Sequence, residues 1–193
     1  MLTTQALNCP NCAANLSRND TFCEFCGSEV MIRKISSFHG FSAEKIRKYQ
    51  SSYQKQAGLP GARLGLGLCY LKCGNYSLAK LQFEKAIEES PESPEAYYYR
   101  SLAVISGRRI MTISMKEARQ IVADLNTALT LDTDFHCARL LLALLCLDYY
   151  DANALSAPED GNDILRELSD RDFDVDEIEV LSTAAPTGNC IYF

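Results

Sequence analysis

Four cysteines near the start of the chain have the residue type and spacing of a metal site. Cys9 and Cys12 form one C-x2-C pair and Cys23 and Cys26 a second, with ten residues between the pairs. Two residues between paired thiolates let a tight turn aim both sulfurs at one ion, and two such turns complete a tetrahedral set. Four cysteines leave no position open for water, so the expected role is structural. The ion would hold together a stretch too short to build a core of its own. Zn2+ is the expected ion, although four thiolates at this spacing also suit iron. Gly27 directly follows the second pair, where a positive φ lets backbone N–H groups point at sulfur. Ala13 holds the matching place after the first.

Little else in the chain suggests chemistry. Cys69 and Cys73 lie four apart on an expected helix, but no second pair accompanies them, so they read as buried packing thiols, as do Cys137 and Cys146. The histidines are His39 and His136, and His136 opens an expected helix as a capping or surface residue. No Ser/His/Asp order, glycine-rich phosphate loop or H-E-x-x-H pattern is present, so no catalytic residue and no enzyme activity are expected. Cys190-Ile191-Tyr192-Phe193 has the outline of a prenylation signal. Tyr192 is not aliphatic and the preceding tail is acidic, so membrane attachment is not expected.

Composition bounds the class. The 193 residues are 47% hydrophobic and 23% charged, which is globular composition. The formal net charge of −6 argues against nonspecific nucleic-acid binding by the whole chain. The charge runs from net +3 over residues 1–58, through zero over 59–150, to −9 over 151–193. That tail is expected to be solvated, with docking on the basic front as the sharper alternative. There is no apolar stretch long enough to span a membrane and no secretory signal, so a cytoplasmic location is expected.

Elements must position these groups. The segment from Cys9 to Val30 resembles a zinc ribbon, and residues 1–30 are assigned to it. Residues 31–58 read as a linker and an amphipathic helix. Ser42 is its N-cap, with Ile46, Tyr49 and Tyr53 on one face and Lys45, Arg47, Lys48 and Lys55 around the rest.

Residues 60–93 carry a more specific pattern. Leu66, Gly67 and Tyr70 are followed by a Gly74-Asn75-Tyr76 turn, then by Ala79, Phe83, Ala86 and Pro91. This order resembles the 34-residue tetratricopeptide repeat of two antiparallel helices. Gly67 and Ala79 let the helices approach, and Tyr70 and Phe83 fill the space beside them. Arg63 departs from the pattern, standing where a large apolar residue is usual. A second unit starts at Ser93 and Pro94, with its second helix opened by a capping box of Ser114 and Glu117. Between its helices lies an enlarged loop, residues 107–114. A third unit opens near Asp134, with its second helix degenerate or absent. Two short tail helices follow, carrying Ile164, Leu165 and Leu168, then Ile178 and Leu181, as a C-terminal cap. The expected fold class is therefore mainly α: a solenoid of helix pairs over residues 59–183 behind a small β ribbon. Residues 184–193 are expected to be disordered.

The whole chain is similar to zinc-ribbon plus tetratricopeptide-repeat proteins, an arrangement met among bacterial cytosolic proteins. That resemblance implies a non-enzymatic adaptor that binds a protein or peptide in the groove lined by the first helix of each pair. By register, Leu64, Leu68 and Leu71 of the first unit and Tyr98, Leu102 and Ile105 of the second face that groove. Some members clamp a C-terminal carboxylate with Lys and Asn there. Leu64 and Leu68 hold two of those places, so the clamp is not expected. Either a hydrophobic peptide fills the groove, or the chain fills it with its own ribbon, first helix or tail. Arg108, Arg109, Lys116 and Arg119 form a second candidate surface, for an acidic partner, a phosphate or the chain's own tail. An alternative from another class is a regulatory nucleic-acid binder using the ribbon and the basic helix at 42–57.

Overall fold

The computed structural model describes residues 7–8, 15–16 and 61–187. The chain divides into two compact units, Met1–Gly40 and Phe41–Phe193. In the first, strand β1 (Leu7–Asn8) pairs antiparallel with β2 (Asn15–Leu16), Leu7 opposite Leu16 and Asn8 opposite Asn15. The four cysteines of the expected metal site, the expected helix at 42–57 and Cys190 lie outside the described residues.

The second unit is helical. Its described part holds α1 (Ala62–Lys72), α2 (Tyr76–Glu89), α3 (Pro94–Ile105), α4 (Met115–Leu131), α5 (His136–Leu145), α6 (Gly161–Leu168) and α7 (Val175–Ala184). Each of the first five packs on the next, and α1 also touches α3. Short turns separate α1 from α2, α2 from α3 and α4 from α5. Gly74, at φ 72°, turns α1 into α2, where a side chain would be strained.

The α1–α2 contact depends on the absence of a side chain at Gly67. A Cβ there would lie 2.5 Å from the Phe83 ring, and Phe83 itself is completely buried. Ala79 and Ala86 lie buried on the same helix as Phe83, so α2 meets α1 through small residues and one ring. Arg63, outside this core, pairs with Glu89 across the open end of the same two helices.

Between α3 and α4 the core contains charge. Asp124 is buried on α4 and accepts two hydrogen bonds from Arg100, at 2.9 and 2.5 Å. Burial pushes its carboxyl up, and the Arg100 guanidinium pulls it back. Arg100 is also 5.5 Å from the centre of the Tyr97 ring, a cation–π distance.

The enlarged loop is part of the core rather than a solvated excursion. A short 3-10 turn (Ile110–Thr112) buries Ile110, and Ile113 is buried just beyond it. After α5 the helix loosens into a π-helical turn, Cys146–Asp151, which buries Tyr149 and Tyr150. The first expected tail helix, α6, is eight residues long and packs on α5, where the sequence leaves the third unit's second helix degenerate or absent. Asp160 caps α6, and Asp174 caps α7, each accepting from two backbone N–H groups. The order continues past the expected boundary: Ala184 closes α7, and Ala184 and Ala185 are both buried.

Gly67→Val should therefore destabilise the helical unit by about 3 kcal/mol, the upper end of ordinary overpacking. Phe83→Leu should relieve part of that loss, so the double variant should lose less than the sum of the two single losses. Urea unfolding of the four chains measures this coupling. Strict additivity would mean that Gly67 and Phe83 do not set the helix spacing.

Candidate interaction surface

The groove residues expected from the sequence divide in the structure. Leu64 and Leu68 are half-buried on α1, and Leu71 is buried. Tyr98, Leu102 and Ile105 are buried on α3, none more than 1% exposed. Tyr98, Leu102 and Ile105 therefore line no open groove among the described residues. The sequence leaves room for this result, because a chain can fill its own groove.

One helix lying against α3 on this side is α7. Its contacts are chiefly with α3 and α5, rather than with the end of the stack that a cap would cover. At its start, Glu177 Oε2 accepts a hydrogen bond from Cys137 Sγ at 3.0 Å, on the first turn of α5. At its end, the Ala184 carbonyl accepts from the Gly107 backbone N–H at 2.9 Å, just past α3. Glu177 also acts electrostatically on Tyr98 and Tyr99, near the start of α3. Hence α7 runs alongside α3 in the same direction. Leu181 and Ala184 form its buried side, with Ile178 and Val180 half-buried. Phe173, just before it, meets His136 edge-on at 6.4 Å. Val175, the first residue of α7, is 81% exposed.

The junction of α3, α5 and α7 is rich in donors. Phe135 packs edge-on against Tyr98 at 5.1 Å, and Tyr99 lies 5.1 Å away on the other side. The Tyr98 hydroxyl has no hydrogen-bond partner among the described residues. Burial raises its pKa well above the usual tyrosine value. Tyr99 is pushed up to about 12, first by burial and then by the charge of Glu177. The Cys137 thiol is pushed far up as well, by burial and by its hydrogen bond to Glu177, which keeps it protonated and unreactive. Cys69 and Cys146 are buried too, whereas Cys73 is exposed, against the expectation of a packing thiol.

The four basic groups occupy different environments. Arg108 is committed to structure. Its Nε donates to the Ile105 carbonyl at 3.0 Å, and its Nη2 to the Val104 carbonyl at 2.9 Å and to Glu117 Oε1 at 2.7 Å. It thus satisfies carbonyls that the end of α3 leaves free. Arg109 lines a cavity of about 300 Å³ with Met111, Leu147, Asp148 and Asp151. Lys116 and Arg119 are exposed on α4, and the charge of Arg119 opposes the upward shift that burial gives Tyr150. The sequence signals basic residues here but not the carboxylate and carbonyls that take up Arg108. The capping box of Ser114 and Glu117 forms as the sequence expects.

Among the described residues no group of three or more His, Cys, Asp or Glu side chains is placed to hold a metal ion. No helix among them is long and apolar enough to cross a membrane. Compared with known proteins, the chain matches no family model, no curated protein and no solved structure.

Glu117 gives a pH-dependent prediction. The Arg108 hydrogen bond, with those from Ser114, lowers its carboxyl to about 2. A lowered folded pKa stabilises above the unfolded value, and the gain is lost as pH falls through the folded value. Because the side chain is about a third exposed, solvent screening holds its contribution to about 1 kcal/mol. Glu117→Gln should lower stability by that amount at neutral pH. The gap from wild type should narrow steadily from about pH 5 down to about pH 3. Urea midpoints across this range test it, and a gap constant with pH would assign the effect to shape rather than charge.

Proposed function

We propose that this chain is a non-enzymatic interaction adaptor. In this reading a structural zinc ribbon precedes a tetratricopeptide-type repeat, and the face formed by the first helices of the pairs takes a protein or peptide partner. One observation carries the reading: α3, whose Tyr98, Leu102 and Ile105 are assigned to that face by register and are buried, has a helix of the same chain, α7, lying alongside it. A surface that accommodates a helix in the chain's own fold has the shape and apolar character for a helical guest.

Other features support the parts. The close Gly67–Phe83 contact and the burial of Ala79 and Ala86 are what small and large residues at repeat spacing would produce. The pairing of Leu7–Asn8 with Asn15–Leu16 brings together the residues flanking Cys9 and Cys12, as a metal-binding turn requires. The four cysteines would supply all the ligands of Zn2+, and the ion would supply folding energy rather than a reactive site.

The metal part predicts one zinc per chain by elemental analysis, lost in a Cys23→Ser, Cys26→Ser variant. Because the two units are separately compact, the thermal transition of the helical unit should move by no more than about 2 °C in that variant. The adaptor part predicts that the full chain used as bait retains a protein partner at both about 0.1 M and about 0.5 M salt. Retention of nucleic acid alone, falling steeply with salt, would sink it in favour of the ribbon and the basic helix at 42–57. Tyr98→Ala and Leu102→Ala are unsuitable controls, since both residues are core and their truncation should unfold the unit.

A further inference from the structure

We infer that α7 is a displaceable occupant of the partner face, and that the guest replacing it is an acidic amphipathic helix of α7's own pattern. The inference rests on the adaptor reading and deepens it, by naming the class of guest and what controls access.

The chemistry of the face selects the guest. Its apolar part is Tyr98, Leu102 and Ile105, which a helix with apolar residues three and four apart can cover. Its start presents two donors, the Cys137 thiol and the Tyr98 hydroxyl. α7 answers the thiol with Glu177, and the hydroxyl has no partner among the described residues. An unpaired buried donor carries a standing cost, which a guest offering a second carboxylate or amide oxygen would remove. The complementary helix therefore carries acceptors in its first turns and apolar residues beyond them. α7 itself follows that order, from Asp174, Asp176 and Glu177 to Ile178, Leu181 and Ala184.

α7 is also an incomplete fit. It is ten residues long, its first residue is an exposed valine, and its acids Asp176 and Glu179 are exposed. It follows closely on α6, so it competes at the high local concentration of a tethered segment, on the order of millimolar. A loose grip held by tethering keeps weak guests out and yields to a better-matched one. Displacement also has a built-in reporter, because Cys137 is 2% exposed while α7 is in place.

The test uses the full wild-type chain and full chains carrying Leu181→Asp or the milder Leu181→Ala. Two synthetic probes accompany them: a peptide of residues 172–187, and the same peptide with Ile178→Ser and Leu181→Ser. Alkylation of Cys137 by N-ethylmaleimide is mapped by mass spectrometry, with the exposed Cys73 as internal reference. Peptide binding is followed by fluorescence anisotropy. Cys137 should react at least about tenfold faster in Leu181→Asp than in wild type, with Leu181→Ala between them. The unaltered peptide should bind Leu181→Asp at least about tenfold tighter than it binds wild type, and should restore protection. The serine peptide should do neither.

Equal Cys137 labelling in all three chains would overturn the inference, since α7 would then not control access. So would faster labelling that the peptide neither binds nor reverses, which would make α7 a structural cap. If Leu181→Asp loses more helix than α7 contains, Leu181→Ala decides by the same two criteria. A chain that captures a partner from lysate while its Leu181 variants ignore the peptide overturns this inference alone. A chain whose variants bind the peptide while the bait captures only nucleic acid overturns the adaptor reading alone.

Discussion

The helical unit is organised by the burial of one helix on nearly every side. Ser101, Leu102, Ala103, Val104 and Ile105 are consecutive on α3 and all are buried. An amphipathic helix on a surface buries one stripe, whereas five successive buried residues span more than a full turn. Such a helix is stable only if neighbours close around it. α2 and α4 lie against it, α1 touches it and α7 completes the enclosure. The Arg100–Asp124 pair lies within the same packing, linking α3 to α4. One partner of a buried pair cannot be removed cheaply, because the other charge is left desolvated.

This constraint accounts for details that otherwise look unrelated. The end of α3 leaves carbonyls without helical partners, and water cannot serve them all where α7 arrives. Arg108 takes two of them, and Gly107 donates its backbone N–H to Ala184. Ile110 and Ile113 fold back from the enlarged loop into the core. The start of this cation-rich loop thus closes α3, while its 3-10 turn packs against α5 and the π-helical turn.

Much of this was legible in the sequence, for particular reasons. Gly67, Ala79, Phe83 and Ala86 fall at spacings that fix which residues meet between two helices, and the α1–α2 pair follows. Ser114 and Glu117 satisfy each other locally, so their capping box needed no knowledge of the rest of the chain. The failures concern long-range partners. An apolar period shows that a face is buried but not what covers it, so Tyr98 and Leu102 read equally well as an open groove and as core. Arg108 is a cation in any sequence, and its commitment depends on carbonyls three and four residues back and on a carboxylate nine residues ahead. Ala184 and Ala185 look like the start of a loose tail because alanine gives no strong signal. They are small enough to pack tightly near the end of α3, and that space exists only in the folded chain.

The acidic tail, lastly, docks by burial rather than by attraction. Residues 151–193 carry net −9, and the basic loop would be the obvious electrostatic partner. Yet Arg108 is answered by Glu117, close by in sequence, and the side chains that α7 buries are Leu181 and Ala184. The tail's acids serve other ends. Glu159 and Glu167 pair with Arg139 of α5, and Glu177 accepts a hydrogen bond from the Cys137 thiol. Surface pairs of this kind contribute little and fade with salt. Burial of leucine and alanine does not fade with salt, so added salt should leave α7 in place. A guest must therefore compete on shape and acceptor placement, and its charge would influence how fast it arrives more than whether α7 yields.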